Sequence, residues 1–138
     1  MTIENDLELR EILATAKTIA CVGVSSNPEK YSYSVFHYLR EQGYRMFPVN
    51  PNASEILGQK SYPDLASIPE KVDVVQVFRR PEDVPPVVEA AIQIVARVIW
   101  MQEGIAHEAA AAKAEAAGLK VVMNRCMMKE RGRLISDM

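Results

Sequence analysis

Five short polar tails stand directly behind five apolar runs, and their residue types limit the chemistry open to this chain. Gly23-Val24-Ser25-Ser26 follows the first run, Asn50-Pro51 the second and Arg79-Arg80-Pro81 the third. Gln102-Glu103-Gly104 follows the fourth, and Asn124-Arg125-Cys126 the fifth. The first tail opens the loop GVSSNPEKYSY, which offers backbone N–H groups, hydroxyls at Ser25 and Ser26, and the start of a helix. Phosphate sites are made from such parts, because unpaired amides and the helix dipole both favour negative charge. Lys30 in the same loop, with Arg79 and Arg80 of the third tail, could neutralise further phosphate charge. The loop alone also fits a plainer account, in which Ser32 or Ser34 caps the helix and Lys30 is solvated. The arginines tip the balance towards an anion.

Other chemistries have weaker support. A dinucleotide turn reads G-x-G-x-x-G, and here Gly23, Ser25 and Pro28 fill those three positions. Pro28 cannot give the close helix packing of a third glycine, and Asn50-Pro51 stands where an acid would hold the ribose hydroxyls. Both departures count against NAD(P) without excluding it. Ser25 and Ser26 lack the G-x-S-x-G elbow of a serine nucleophile. Cys126, beside Arg125, leaves two readings: a reactive thiol able to pair with a ligand thiol, or an inert packed cysteine. Glu103 with Glu82 or Asp83 suits acid–base work, or the ordinary acids of a helix start. His37 falls mid-helix and His107 near a helix start, as surface or capping residues. Neither they nor Cys21 and Cys126 have metal-ligand spacing.

The elements that must position these tails follow from periodicity. Leu9, Ile12, Leu13 and Ala16 recur at helical spacing and predict a first helix over 5–16. Thr18–Gly23, Tyr44–Val49, Val72–Phe78, Val98–Met101 and Leu119–Met123 read as five strands. Pro48 lies near the end of the second, where losing one ladder donor does little harm. Val35, Tyr38 and Leu39 mark a helix ended by Gly43. A further helix carries Val88, Ala91, Ile92 and Val95, with Pro85 and Pro86 in its first turn. An alanine-rich helix spans 107–117 and a closing helix 127–136. Strands one, three, four and five are nearly continuous apolar runs, as a sheet buried on both faces requires. Strand–helix alternation then predicts a doubly wound parallel α/β sheet in the order 3-2-1-4-5, with ligand at its carboxyl edge.

Composition narrows the class. The chain has 138 residues, enough for one domain with a sizeable core, here taken as residues 1–138. A net charge of −2 argues against nucleic acid as the main partner. The acidic, amphipathic start MTIENDLELREILATA shows no export signal, and no apolar run is long enough to span a bilayer. A soluble, cytoplasmic protein is expected. The alanine face Ala109 to Ala112 suits the sheet or a second copy, so monomer and homodimer both stay open.

Taken in order, GVSSNPEKYSY, GYRMFPVNP, VDVVQVFRRPEDVP, VIWMQEGI and VVMNRCMM resemble the small stand-alone CoA-binding proteins. These are similar to the Rossmann-like nucleotide-binding domain at the N-terminus of the succinyl-CoA synthetase α-subunit. The resemblance implies that Gly23, Val24, Ser25 and Ser26 wrap the CoA pyrophosphate, with Lys30 and Tyr31 completing the loop. It places Val49, Asn50 and Pro51 beside the adenosine and Phe78, Arg79 and Arg80 on the far wall. Met101, Gln102 and Glu103 would approach the pantetheine arm. The synthetase domain has a lysine where Asn52 and Ala53 stand here, which leaves the 3′-phosphate to Lys30 or an arginine. The synthetase's second domain, bearing its phosphorylated histidine, is not matched, so ligase chemistry is not implied. The expectation is a protein that binds coenzyme A or an acyl-CoA. The alternatives are a NAD(P)-binding domain, an acyl-CoA enzyme using Cys126 or Glu103, or a module whose surface binds a protein partner.

Overall fold

A computed structural model describes residues 2–135. Five parallel strands form one sheet: β1 (Thr18–Val22), β2 (Arg45–Val49), β3 (Val74–Val77), β4 (Val98–Met101) and β5 (Lys120–Val122). Five helices accompany them: α1 (Asp6–Thr15), α2 (Tyr31–Glu41), α3 (Val84–Gln93), α4 (Glu108–Ala116) and α5 (Met127–Leu134). Ser136, the expected end of the closing helix, lies outside the described residues.

Because side chains alternate along a strand, each strand feeds two cores. Ile19, Cys21, Val74, Trp100 and Val122 face α1, α2 and α5, meeting Leu9, Phe36, Leu39 and Met127. Ala20, Val22, Val75, Val77 and Ile99 face α3 and α4, meeting Val84, Val88, Ala111 and Ala114. The middle strands are buried along their whole length, which is why they read as unbroken apolar runs.

The strand order differs from the expected 3-2-1-4-5. It is β2-β1-β3-β4-β5, so β3 pairs with β1 on the side away from β2. Pro48 supplies the physical reason. Its carbonyl points outward, accepting from the Tyr62 N–H at 2.9 Å, so the N–H that proline lacks is missing from that same outer edge. A strand laid there would lose a ladder bond, and proline in a strand therefore belongs at a sheet edge. The connection from β2 to β3 contains no α-helix. It holds a two-stranded hairpin (Glu55–Ile56 with Gln59–Lys60), the lone Val49–Tyr62 bridge on the outer edge, and a single 3₁₀ turn at Leu65–Ser67. Asp73 then anchors the start of β3 beside β1, its carboxylate accepting from the Lys17 N–H at 2.8 Å. The point where strand order reverses consequently lies between β1 and β3.

Candidate functional site

At that reversal the carboxyl ends of β1 and β3 meet over Gly23. Its φ is +91°, and a Cβ there would lie under 3.0 Å from the Phe78 carbonyl oxygen and 3.3 Å from Arg79 Cδ. Only glycine lets the two strand ends approach so closely while the chain turns. The turn is fixed by Gly23 N–H to the Val49 carbonyl at 2.9 Å and Phe78 N–H to the Val22 carbonyl at 2.8 Å. Asn50 adds a clamp from β2, its side-chain amide donating to the Val24 carbonyl at 3.1 Å.

Beyond Gly23 the loop is organised by small hydroxyls. Ser25 N–H donates to Ser32 Oγ at 3.0 Å, and Ser25 Oγ accepts from the Asn27 N–H at 3.0 Å. Neither Ser32 nor Ser34 caps α2. The capping position is Lys30, which makes no side-chain hydrogen bond to the helix end. The amides that open α2 are thus left without a side-chain acceptor, as an anion-binding helix start requires.

Two cavities flank Arg79. One, about 500 Å³, is lined by Gly23, Ser25, Lys30, Tyr31, Ser32, Phe78, Arg79, Arg80 and Ile105. The other, about 340 Å³, is mostly apolar, with Val22, Val49, Pro51, Leu65, Val87 and Ala90 among its walls. Arg79 lines both. Among the described residues, neither Arg79 nor Lys30 makes an ion pair, whereas Arg80 is held by Glu82 and Asp83.

The expected site residues therefore divide. Gly23, Ser25, Lys30, Tyr31, Phe78, Arg79 and Arg80 share the larger cavity, while Val49, Pro51 and Arg79 share the smaller. Ser26 is exposed on the loop and Asn50 acts as its clamp. Val24 and Met101 are brought to neither cavity, since both side chains are wholly buried in the core. Gln102 is buried as well. Its Oε1 accepts from the Met127 N–H at 3.1 Å and from Gln76 Nε2 at 3.2 Å, whereas Gln102 Nε2 and Gln76 Oε1 find no partner. Glu103 is exposed and paired with Lys129 at 2.9 Å. Two carboxylates also line the smaller cavity: Asp83, weighed above with Glu103 for acid–base work, and Asp64, which the sequence did not single out.

Cys126 is buried, and the Tyr31 hydroxyl donates to its sulfur. Burial and the adjoining thiol push the Tyr31 phenol above its ordinary pKa. His107 caps α4, with Nδ1 accepting from the Ala110 N–H at 3.1 Å, and His37 is exposed on α2. Trp100 is a core residue whose Nε1 donates to the Arg125 carbonyl at 2.8 Å. Among the described residues no cluster of His, Cys, Asp or Glu could hold a metal ion, and no helix is long and apolar enough to cross a membrane.

Residues 17–132 match the family model of the CoA binding domain. The chain belongs to that family. A Bacillus subtilis relative, the uncharacterized protein YneT, is 38% identical over 120 residues, covering 87% of this chain and 89% of its own. The Archaeoglobus fulgidus acetate–CoA ligase [ADP-forming] II is 30% identical over 95 residues, which cover 67% of this chain and 14% of the ligase. The chain is thus related to one portion of such ligases. Among solved structures, a hypothetical protein from Pyrococcus horikoshii OT3 superposes with a TM-score of 0.94 at 43% identity, covering 99% of this chain and 97% of that one.

Proposed function

We propose that the chain binds coenzyme A, or an acyl-CoA, across the carboxyl ends of β1 and β3. The pyrophosphate lies on the Gly23–Ser26 turn, between the start of α2 and the Arg79 guanidinium. The adenosine enters the smaller, apolar cavity beside Val49, and the pantetheine arm runs through the larger one past Tyr31 and Phe78. Arg79 is the observation that carries this reading. Its Cδ lies 3.3 Å from where a Cβ on Gly23 would stand, it makes no ion pair among the described residues, and it borders both cavities. A cation left free at a junction of two cavities is poised for a ligand that is charged in its middle and spans both.

Membership of the CoA-binding family supports the choice of ligand. The serine and proline where a dinucleotide turn has glycines weigh against NAD(P). The reading is of binding alone. ADP-forming ligation belongs by name to relatives such as the Archaeoglobus fulgidus ligase, of which this chain spans 14%.

Isothermal titration with CoA, acetyl-CoA, NAD and NADP tests it. CoA and acetyl-CoA should bind and stabilise the fold, by about 2.7 kcal/mol at one hundred times Kd. Arg79→Ala should weaken both at least tenfold and flatten the salt dependence. Binding of NAD without CoA, or an unchanged CoA affinity in Arg79→Ala, would overturn the reading.

A further inference from the structure

The adenosine-side cavity carries an unexpected charge pattern. Its wall is largely apolar, Arg79 is its one lining cation, and two carboxylates, Asp64 and Asp83, stand on it. Asp83 is partly neutralised by Arg80, with Nε to Oδ2 at 3.2 Å. Asp64 makes no ion pair among the described residues, although Arg79 lines the same cavity. Its Oδ1 accepts from the Ser67 N–H at 2.9 Å and the Ser67 hydroxyl at 2.7 Å, which leaves Oδ2 free among the described residues.

The backbone explains why Asp64 is there. Tyr62 runs parallel to Val49 on the outer edge of β2, its N–H donating to the Pro48 carbonyl and its carbonyl accepting from the Asn50 N–H, both at 2.9 Å. Two residues further on, Asp64 therefore stands beyond the carboxyl end of β2. Sheets of this type place an acid in that region to accept hydrogen bonds from ribose hydroxyls. Here the outer segment delivers it, and not β2 itself, which ends in Asn50-Pro51.

A carboxylate accepts and does not donate. A ribose with free 2′ and 3′ hydroxyls offers it two donors. A 3′-phosphate removes one donor and adds charge of like sign. We propose that Asp64, with Asp83 on the same cavity, suits it to a coenzyme A whose ribose is unphosphorylated, so that dephospho-CoA binds in preference to CoA. The inference rests on the reading above that adenosine occupies this cavity. It also moves the 3′-phosphate away from Lys30 or an arginine and into solvent. For charges roughly 7 Å apart at a half-exposed rim, the discrimination is on the order of tenfold.

Titration calorimetry of the full chain with CoA, dephospho-CoA and ADP tests this. Dephospho-CoA should bind about tenfold more tightly than CoA in dilute buffer, and about 0.5 M salt should narrow the gap by screening. Asp64→Asn, which keeps a side-chain oxygen for Ser67, should reduce the preference severalfold. CoA binding as tightly as dephospho-CoA, or more so, would overturn the inference while leaving CoA binding intact. A preference unchanged in both Asp64→Asn and Asp83→Asn would also overturn it. Absence of binding by all three nucleotides would remove the adenosine site itself.

Discussion

Replacing Gly23 with alanine puts the geometry of the turn to a quantitative test. Any L-residue pays about 1–2 kcal/mol for a left-handed backbone. Gly43 and Gly23 both carry that conformation, at φ +100° and +91°, but around Gly43 nothing lies within 4 Å of an added Cβ. Gly43→Ala therefore pays for backbone strain alone. Gly23→Ala must in addition displace the Phe78 carbonyl, which the ladder holds through the Phe78 N–H to Val22 bond at 2.8 Å. Forcing a backbone shift in a packed interior costs about 1–3 kcal/mol more. The expected losses are about 2–5 kcal/mol for Gly23→Ala and about 1–2 kcal/mol for Gly43→Ala. With roughly 2 cal/mol/K of unfolding entropy per residue, a chain of this length should lose about 7–17 °C and 3–7 °C in Tm respectively. Calorimetric melts of both variants, alongside CoA titrations, supply the readout. Equal losses in the two variants would refute the close-approach argument, as would an undiminished CoA affinity in Gly23→Ala.

Other outcomes follow from single residues. Val95 is a β-branched residue at φ 57°, exposed, and closing α3 in a position that favours glycine. Val95→Gly should raise stability by about 1 kcal/mol in urea unfolding, an unusual gain for deleting a side chain. The Glu130 carboxyl is held below its ordinary pKa by its hydrogen bond from Arg133, reinforced by Arg125 and opposed by burial. A depressed carboxylate contributes stability that is present above its unfolded value, about 4.3, and lost as pH falls through the lower folded one. Glu130→Gln should therefore cost stability at neutral pH and flatten the loss below about pH 5, as acid titrations by circular dichroism would show. Trp100→Phe leaves the Arg125 carbonyl without its buried donor and opens a void, so a loss of about 2–4 kcal/mol in denaturant melts is expected.

Much of the architecture could be read in one dimension. Runs such as VDVVQVF and VIWM are apolar on both faces, which only a doubly covered parallel strand needs, and their bounds shift by no more than two residues in the structure. The polar tails behind them were legible for the same reason, since a buried strand must end where polar groups can meet water or ligand. Strand order was misread although its signal was present. Pro48 is harmless near a strand end only if its missing N–H faces outward, and that makes β2 an edge strand and excludes the order 3-2-1-4-5.

The candidate site was legible where residue type lies in the local chain and hidden where it depends on what packs against it. By itself the sequence determined that a glycine turn, serines, a lysine and two arginines would stand at the carboxyl edge of a parallel sheet, because strand and helix periods and short connections place them there. It also determined the family to which the chain belongs. Only the tertiary structure decided that Gly23 is demanded by the Phe78 carbonyl, that among the described residues Arg80 is ion-paired and Arg79 is not, and that Met101 and Val24 turn into the core. It alone brought Asp64 beside Val49, through a segment with no strand or helix period of its own. These are facts of distance between residues far apart in the chain, and no local pattern records them.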